Sequence, residues 1–233
     1  MDTRIALCIM AKAPEPGKVK TRLCPPLSPE DAAELYRCFL LDRIAQVREV
    51  AGVEPVLAYS PPEAVAVFAA LAPSFALLLQ RGRDLTARLV AVCGQLFRSG
   101  YDVAILIDSD TPTLPTERLE RAVAVMSGGD HDLVLGPSDD GGYYLIGLRR
   151  PHPELFEGVP WSTPTVLEET ERRASALGLR STRLPAWHDV DTGADLARLR
   201  ADLAAGPIGG PRHTRRFVME RLLGRIAGPG GRI

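Results

Sequence analysis

The sequence predicts an α/β fold built on a mainly parallel sheet with helices on both faces. Two observations carry this expectation. Apolar runs of strand length alternate with longer amphipathic stretches, and the run VAILI at 103–107 is apolar at every position, as in a strand buried on both sides. A third gives it functional meaning: loops rich in charge and glycine follow several of these runs, at the sheet end where open parallel sheets bind ligands.

Residues 4–10 read as the first strand. The run is broken by Lys12 and two prolines and lacks the cleavage region of a signal peptide. Residues 29–50 read as a helix. Ser28 supplies an N-cap hydroxyl, Pro29 suits the first turn, and Glu30 and Asp31 face the positive end of the helix dipole. Strands at 53–59 and 75–79 then alternate with helices at 62–71 and 85–97. The strand at 103–107, a helix at 115–126 and a strand at 133–135 continue the βαβα order, which implies right-handed crossovers.

A further strand bears Tyr143 and Tyr144, and Thr192 with Asp195 signals a helix start leading into 196–205. GPIGGP is then a flexible break, and 213–227 reads as an appended helix with a basic face. The expected organisation is one domain over 1–205 and a C-terminal linker and helix over 206–233. That helix suits packing on its own domain or on a second subunit in a homodimer.

The totals exclude several classes. A chain of 233 residues, 45% hydrophobic, can fill one α/β core. A net charge of -1, from 28 basic and 29 acidic residues, gives no global attraction to a nucleic acid polymer or an anionic membrane. No segment approaches the roughly 20 uninterrupted apolar residues of a membrane span, so the expected location is cytoplasmic. Cys8, Cys24, Cys38 and Cys93 show neither zinc spacing nor a disulfide framework, the four histidines form no ligand pattern, and no serine sits in a nucleophile elbow.

Four loops carry candidate chemistry. AKAPEPGKVKTRL gathers Lys12, Lys18, Lys20 and Arg22 around Pro14, Pro16 and Gly17, a set of cations and turn residues suited to a polyphosphate. The same loop could simply be a solvated basic turn. Asp108 and Asp110 follow VAILI at i and i+2, where they can be aimed at Mg²⁺ or Mn²⁺ with bridging phosphates, or can serve as turn formers. Asp139 and Asp140 precede Gly141 and Gly142; these acids suit a hydroxyl or a metal, and an Asp-Gly hairpin turn is the alternative. Asp189 and Asp191 alternate at a strand end, with helix capping by Asp191 as the alternative. A fifth, slighter feature is Gln80 with Gly82: an amide can pair with a base edge, and glycine lets a base lie against the backbone.

KAPEPGKVKTRL, LIDSDTPTLP, GPSDDGGYYLIGL, PWSTPTVL and DVDTGADL, in order over residues 5–199, resemble a bacterial family described as glycosyltransferase-like, or selenodomain-associated and arsenosugar-type, transferases. The resemblance implies a Rossmann-like GT-A (nucleotide-diphospho-sugar transferase) fold. That fold is shared with nucleotidyltransferases such as the guanylyltransferase that activates phospholactate for deazaflavin cofactor synthesis. It implies Asp110 as a metal-binding acid, Asp189 or Asp191 as a second ligand, Lys12, Lys18 and Arg22 as phosphate-binding positions, and Gln80 as base reader. The sequence departs from the family pattern at Asp108, usually Gly, and at Thr86-Ala87, usually Gly-Glu. The first departure creates a literal Asp-x-Asp.

The expected function is metal-dependent nucleotidyl transfer from a nucleoside triphosphate to a small phosphorylated acceptor, with Lys12, Lys18 and Arg22 neutralising pyrophosphate and Asp110 and Asp191 holding the ion. The second reading is glycosyl transfer from a nucleoside diphosphate sugar, with Asp108 and Asp110 on the metal and Asp140 as acceptor base. The third is a non-catalytic nucleotide-binding protein. No enzyme nucleophile is expected in the first reading, because positioning and charge stabilisation dominate phosphoryl-type transfer.

Overall fold

A strand with no polar side chain needs cover on both faces, and Val103–Ile107 (β4) receives it: all five of its residues are buried. The computed structural model describes residues 3–206 and 210–222. Within them, Ile5–Lys12 (β1), Glu54–Ser60 (β2), Ala76–Leu79 (β3), β4, Leu133–Pro137 (β5), Tyr143–Leu148 (β6) and Ser181–Arg183 (β7) form one sheet in the order β3-β2-β1-β4-β6-β5-β7. β1 runs parallel to both β2 and β4, β2 to β3, and β5 to β7, whereas β6 is antiparallel to both of its neighbours.

The helices are Pro29–Glu49 (α1), Val65–Leu71 (α2), Leu85–Arg98 (α3), Thr116–Gly128 (α4), Val166–Ala176 (α5), Gly193–Ala205 (α6) and Arg212–Arg216 (α7). The pleat sorts β1 between two cores. Ile5, Leu7, Ile9 and Ala11 join residues of α1, α2, α4 and α6 on one face, and Ala6 and Cys8 join Leu89, Val92 and Cys93 of α3 and Ala174 of α5 on the other. Helices therefore cover both faces, as expected, and the sheet is mainly parallel.

Two helix starts form as their sequences dictate. Ser28 Oγ accepts from Asp31 N at 3.1 Å, and Thr192 and Asp195 form a reciprocal capping box at the start of α6. Cys8, Cys38 and Cys93 are buried and Cys24 half-buried, all as free thiols. The C-terminal segment is helical from Arg212 as far as it is described. α7 passes at Phe217 into a π turn that runs to Leu222, and residues 223–227 lie outside the described part. Both oxygens of the buried Asp42 on α1 accept the opening N–H groups of α7, from His213 at 2.9 Å and Thr214 at 2.8 Å. No helix among the described residues is long and apolar enough to cross a membrane.

Strand order reverses between β1 and β4: β2 and β3 extend to one side of β1, and β6 and β5 to the other side of β4. A crevice is expected beyond the carboxyl ends at such a switch point. There the loops after β1 and β4 open onto a crevice of about 680 Å³.

Candidate active site in the switch-point crevice

α1 fixes the floor of the crevice. Tyr36 Oη lies 2.8 Å from Ser109 Oγ and accepts the Lys12 N–H at 3.1 Å, while Ser109 Oγ donates to Met10 O at 3.1 Å. Two turns further along, Arg43, only 3% exposed, donates to Thr111 O at 2.7 Å and to Thr111 Oγ1, and lies 3.6 Å from Asp108 Oδ1. Thr111 Oγ1 in turn donates to Asp108 Oδ1 at 2.6 Å. Burial pushes the Asp108 carboxyl up to about 7, aided by Asp110 and opposed by Arg43. Asp108, half-buried at the crevice wall, is thus engaged in the support of its own loop.

Asp110 lines the same crevice with a different set of partners. Its carbonyl accepts from Val190 N at 3.0 Å, which docks the 187–192 loop beside it and brings Asp191 close. The two carboxylates share one cation: Lys20 Nζ lies 2.5 Å from Asp110 Oδ1 and 2.7 Å from Asp191 Oδ1, with its side chain only 4% exposed. Burial alone would lower the Lys20 pKa, but the two acids outweigh it and hold the ammonium well above the ordinary lysine range. Asp189, two residues from Asp191, is pushed up to about 6, by burial first and then by repulsion from Asp191 and Asp140.

Of the other predicted residues, Lys12, Lys18 and Arg22 line the crevice with exposed side chains. Lys18 Nζ pairs with Glu15 at 2.6 Å and Arg22 reaches Asp191 at 3.8 Å, whereas Lys12 has no carboxylate partner among the described residues. Gly17 takes a φ of 75°, the left-handed conformation its turn requires. Asp140 sits in the turn between β5 and β6, where it accepts from Ser138 Oγ and from Gly142 N at 2.9 Å, so the hairpin alternative describes this segment. Thr192, not Asp191, caps α6.

Three sequence assignments change. Gln80 donates both amide hydrogens to backbone, at 2.9 Å to Ala11 O and 2.8 Å to Ala58 O, so its donors staple β1 to β2 and are not free to read a base. Gly82 is required by packing: a Cβ there would lie 2.6 Å from Ala87 Cβ on α3. Lys20 is buried between acids, whereas the basic-loop reading placed it with the phosphate cations. Sequence reasoning also missed Tyr36, Ser109 and Arg43. The signal for Arg43 was available, since an arginine one turn from both Phe39 and Val47 on the apolar face of a helix needs a buried partner. At the far wall, Trp161 Nε1 donates to Thr86 Oγ1 at 2.7 Å and its ring meets Tyr143 edge-on at 6.2 Å. Thr86, a departure from the family pattern, therefore anchors that wall.

A model of a protein family conserved in bacteria and uncharacterized, DUF2064, matches residues 43–163. The chain belongs to this family. Its structure resembles that of a protein from Desulfovibrio desulfuricans G20 provisionally assigned as a nucleotide-diphospho-sugar transferase. The two are 32% identical with a TM-score of 0.86, over 95% of this chain and 96% of that one. CMP:2-keto-3-deoxy-manno-octonic acid synthetase, solved with CTP, shares the fold at 18% identity and a TM-score of 0.57, over 87% and 99% of the two chains. Rv0371c of Mycobacterium tuberculosis H37Rv, solved with manganese, shares it at 16% identity and 0.53, over 85% and 98%. No curated protein matches the sequence. The DUF2064 chain is thus a transferase-class member of the nucleotide-diphospho-sugar transferase fold.

Proposed function

We propose that the protein is a metal-dependent nucleotidyltransferase that passes the nucleoside monophosphate part of a nucleoside triphosphate to a small phosphorylated acceptor. The observation that carries this reading is the division of the acids. Asp110 and Asp191, from different loops, converge on one cation, while Asp108 is taken up by Arg43 and Thr111. With Asp108 so engaged, the literal Asp-x-Asp is less suited to act as a chelating pair, which weighs against glycosyl transfer.

Among the described residues no three His, Cys, Asp or Glu side chains form a metal cage. Two carboxylates on one point nonetheless suit Mg²⁺ or Mn²⁺, which commonly take one or two protein carboxylates and fill their remaining positions with phosphate oxygens and water. Asp110 and Asp191 would hold the ion, and Asp189 would stand behind them. When bound, the ion neutralises and orients the transferring phosphate. Lys12, Lys18 and Arg22 bind the β- and γ-phosphates. An acceptor phosphate oxygen attacks the α-phosphorus, the bond to the bridging oxygen breaks, and pyrophosphate leaves with its charge met by these cations. In this reading residues 1–205 are the catalytic domain, 206–233 are a C-terminal linker and appended helix whose start at α7 is held by Asp42 of α1, and the protein works in the cytoplasm on small molecules.

The second reading is transfer of a sugar from a nucleoside diphosphate sugar, and the assignment of the Desulfovibrio protein favours it. Its acceptor base, Asp140, is engaged within its own turn. Thermal unfolding with Mg²⁺ against a panel of nucleoside triphosphates, diphosphates and nucleotide sugars separates the two. A ligand at a hundred times its dissociation constant adds about 2.7 kcal/mol. A triphosphate is expected to stabilise most, and Asp110→Ala to remove the effect. Stabilisation by diphosphates and nucleotide sugars alone would overturn nucleotidyl transfer.

A further inference from the structure

We propose that Lys20 is the resident cation of the divalent-metal site: its ammonium holds Asp110 and Asp191 together in the free protein, and a metal ion enters by exchanging with it, as the displaced lysine turns to the nucleotide's phosphates. The inference rests on the reading of Asp110 and Asp191 as the metal pair.

Geometry makes the two cations mutually exclusive. An ion bound at about 2.1 Å from the same oxygens would stand inside the volume of the ammonium, which lies 2.5 and 2.7 Å from them. Burial separates Lys20 from the rest of the basic loop, since Lys12, Lys18 and Arg22 are exposed. Its backbone is also set for the task. Lys20 adopts φ 49° and ψ 34°, a left-handed conformation uncommon for a residue with a side chain, at the head of the short turn Thr21–Leu23, and its carbonyl accepts from Leu23 N at 2.9 Å.

Charge sets the direction of the exchange. Two carboxylates with one buried ammonium carry a net negative charge, which the exposed Arg22, 3.8 Å from Asp191, meets only through solvent-screened contact and a divalent ion cancels, so the pair gains by the swap. The lysine loses unless a new anion receives it, because an unpaired buried ammonium is costly. The phosphates of an incoming nucleotide are that anion. Free protein is therefore expected to bind divalent ions weakly, and metal and nucleotide to strengthen each other's binding by the same factor.

The test uses Mn²⁺ alone on the full chain, followed by the electron paramagnetic resonance signal of the free ion. Lys20→Met is expected to bind Mn²⁺ at least tenfold more tightly than wild type, Lys20→Arg to stay as weak as wild type, and Asp110→Asn added to Lys20→Met to erase the gain. No gain in Lys20→Met, or an equal gain in Lys20→Arg, overturns the exchange. Should Lys20→Met not fold, the wild type answers by acetylation and mass spectrometry. Lys20 is expected to be protected in the free protein and to become reactive as Mn²⁺ is raised to saturation of an Asp110-dependent site. Mn²⁺ bound there with Lys20 still protected refutes it. Nucleotide is absent throughout, so failure here is separate from failure of any nucleotide to stabilise the protein.

Discussion

Arg43→Met keeps the apolar stem of the side chain and removes the charge that supports the loop after β4. Four contacts are lost: the bonds to Gln46 Oε1, Thr111 O and Thr111 Oγ1 and the ion pair with Asp108. Removing one partner of a buried ion pair typically costs about 3–5 kcal/mol, because the other charge is left uncompensated. Asp108 has an escape, since burial already raises its carboxyl to about 7 with Arg43 opposing, and without Arg43 the group rises further. The folded protein then holds a proton that the unfolded chain releases above the ordinary aspartate value of 3.8, so stability falls as pH rises through that interval. The loss should be about 3 kcal/mol at pH 8. Near pH 5.5, where Asp108 is protonated, it should shrink to the lost hydrogen bonds, about 1–2 kcal/mol. For a chain of this size a loss of 3 kcal/mol lowers Tm by about 6–12 °C. Urea melts at the two pH values measure both numbers. A loss below about 1 kcal/mol at pH 8, or one equal at both pH values, would refute the assignment of Arg43 as the partner of a buried, shifted Asp108.

Ser28→Ala removes the N-cap bond of α1 and should cost about 1 kcal/mol in a urea melt; no change would show that Pro29 and the acids suffice. Gly141→Ala should destabilise by more than about 2 kcal/mol, because φ is 89° and the new Cβ would lie 2.1 Å from Pro164 O; a wild-type melt would show that the 160–164 segment yields freely. Asp189, raised to about 6, should make the metal-free protein lose stability as pH rises from about 4 through 6, since the folded state binds the extra proton. Asp189→Asn should flatten that slope, and an unchanged slope would assign it elsewhere.

How far the sequence reveals this molecule depends on how local each signal is. β4 and the starts of α1 and α6 were legible because continuous apolar character and capping residues act within a few positions. α5 was legible too and went unread: Val166, Leu167, Thr170 and Ala174 lie at helical spacing and are its buried positions. The direction of β6 lay in the DDGG turn, whose hairpin reading implies an antiparallel partner. β7 has three residues, none of them buried, so no pattern marks it. In the site, Asp110 and Asp191 were found as strand-end acids, but their sharing of Lys20 depends on Val190 docking against Asp110 across 80 positions of sequence, which no local pattern carries. The engagement of the Gln80 amide donors was illegible for the same reason, its partners being carbonyls of β1 and β2.

Asp42 and Arg43 are consecutive, yet one grips the start of α7 and the other the loop after β4. Neighbours on a helix point about 100° apart, so these two charges act as a rotational key for α1. A purely apolar face would let the helix roll by a fraction of a turn at little cost. With the key in place, rolling in either direction breaks a charged contact on one side or the other. Tyr36, on the same rigid rod, therefore meets Ser109 and the end of β1 at a fixed angle, and the crevice floor is set before any ligand arrives.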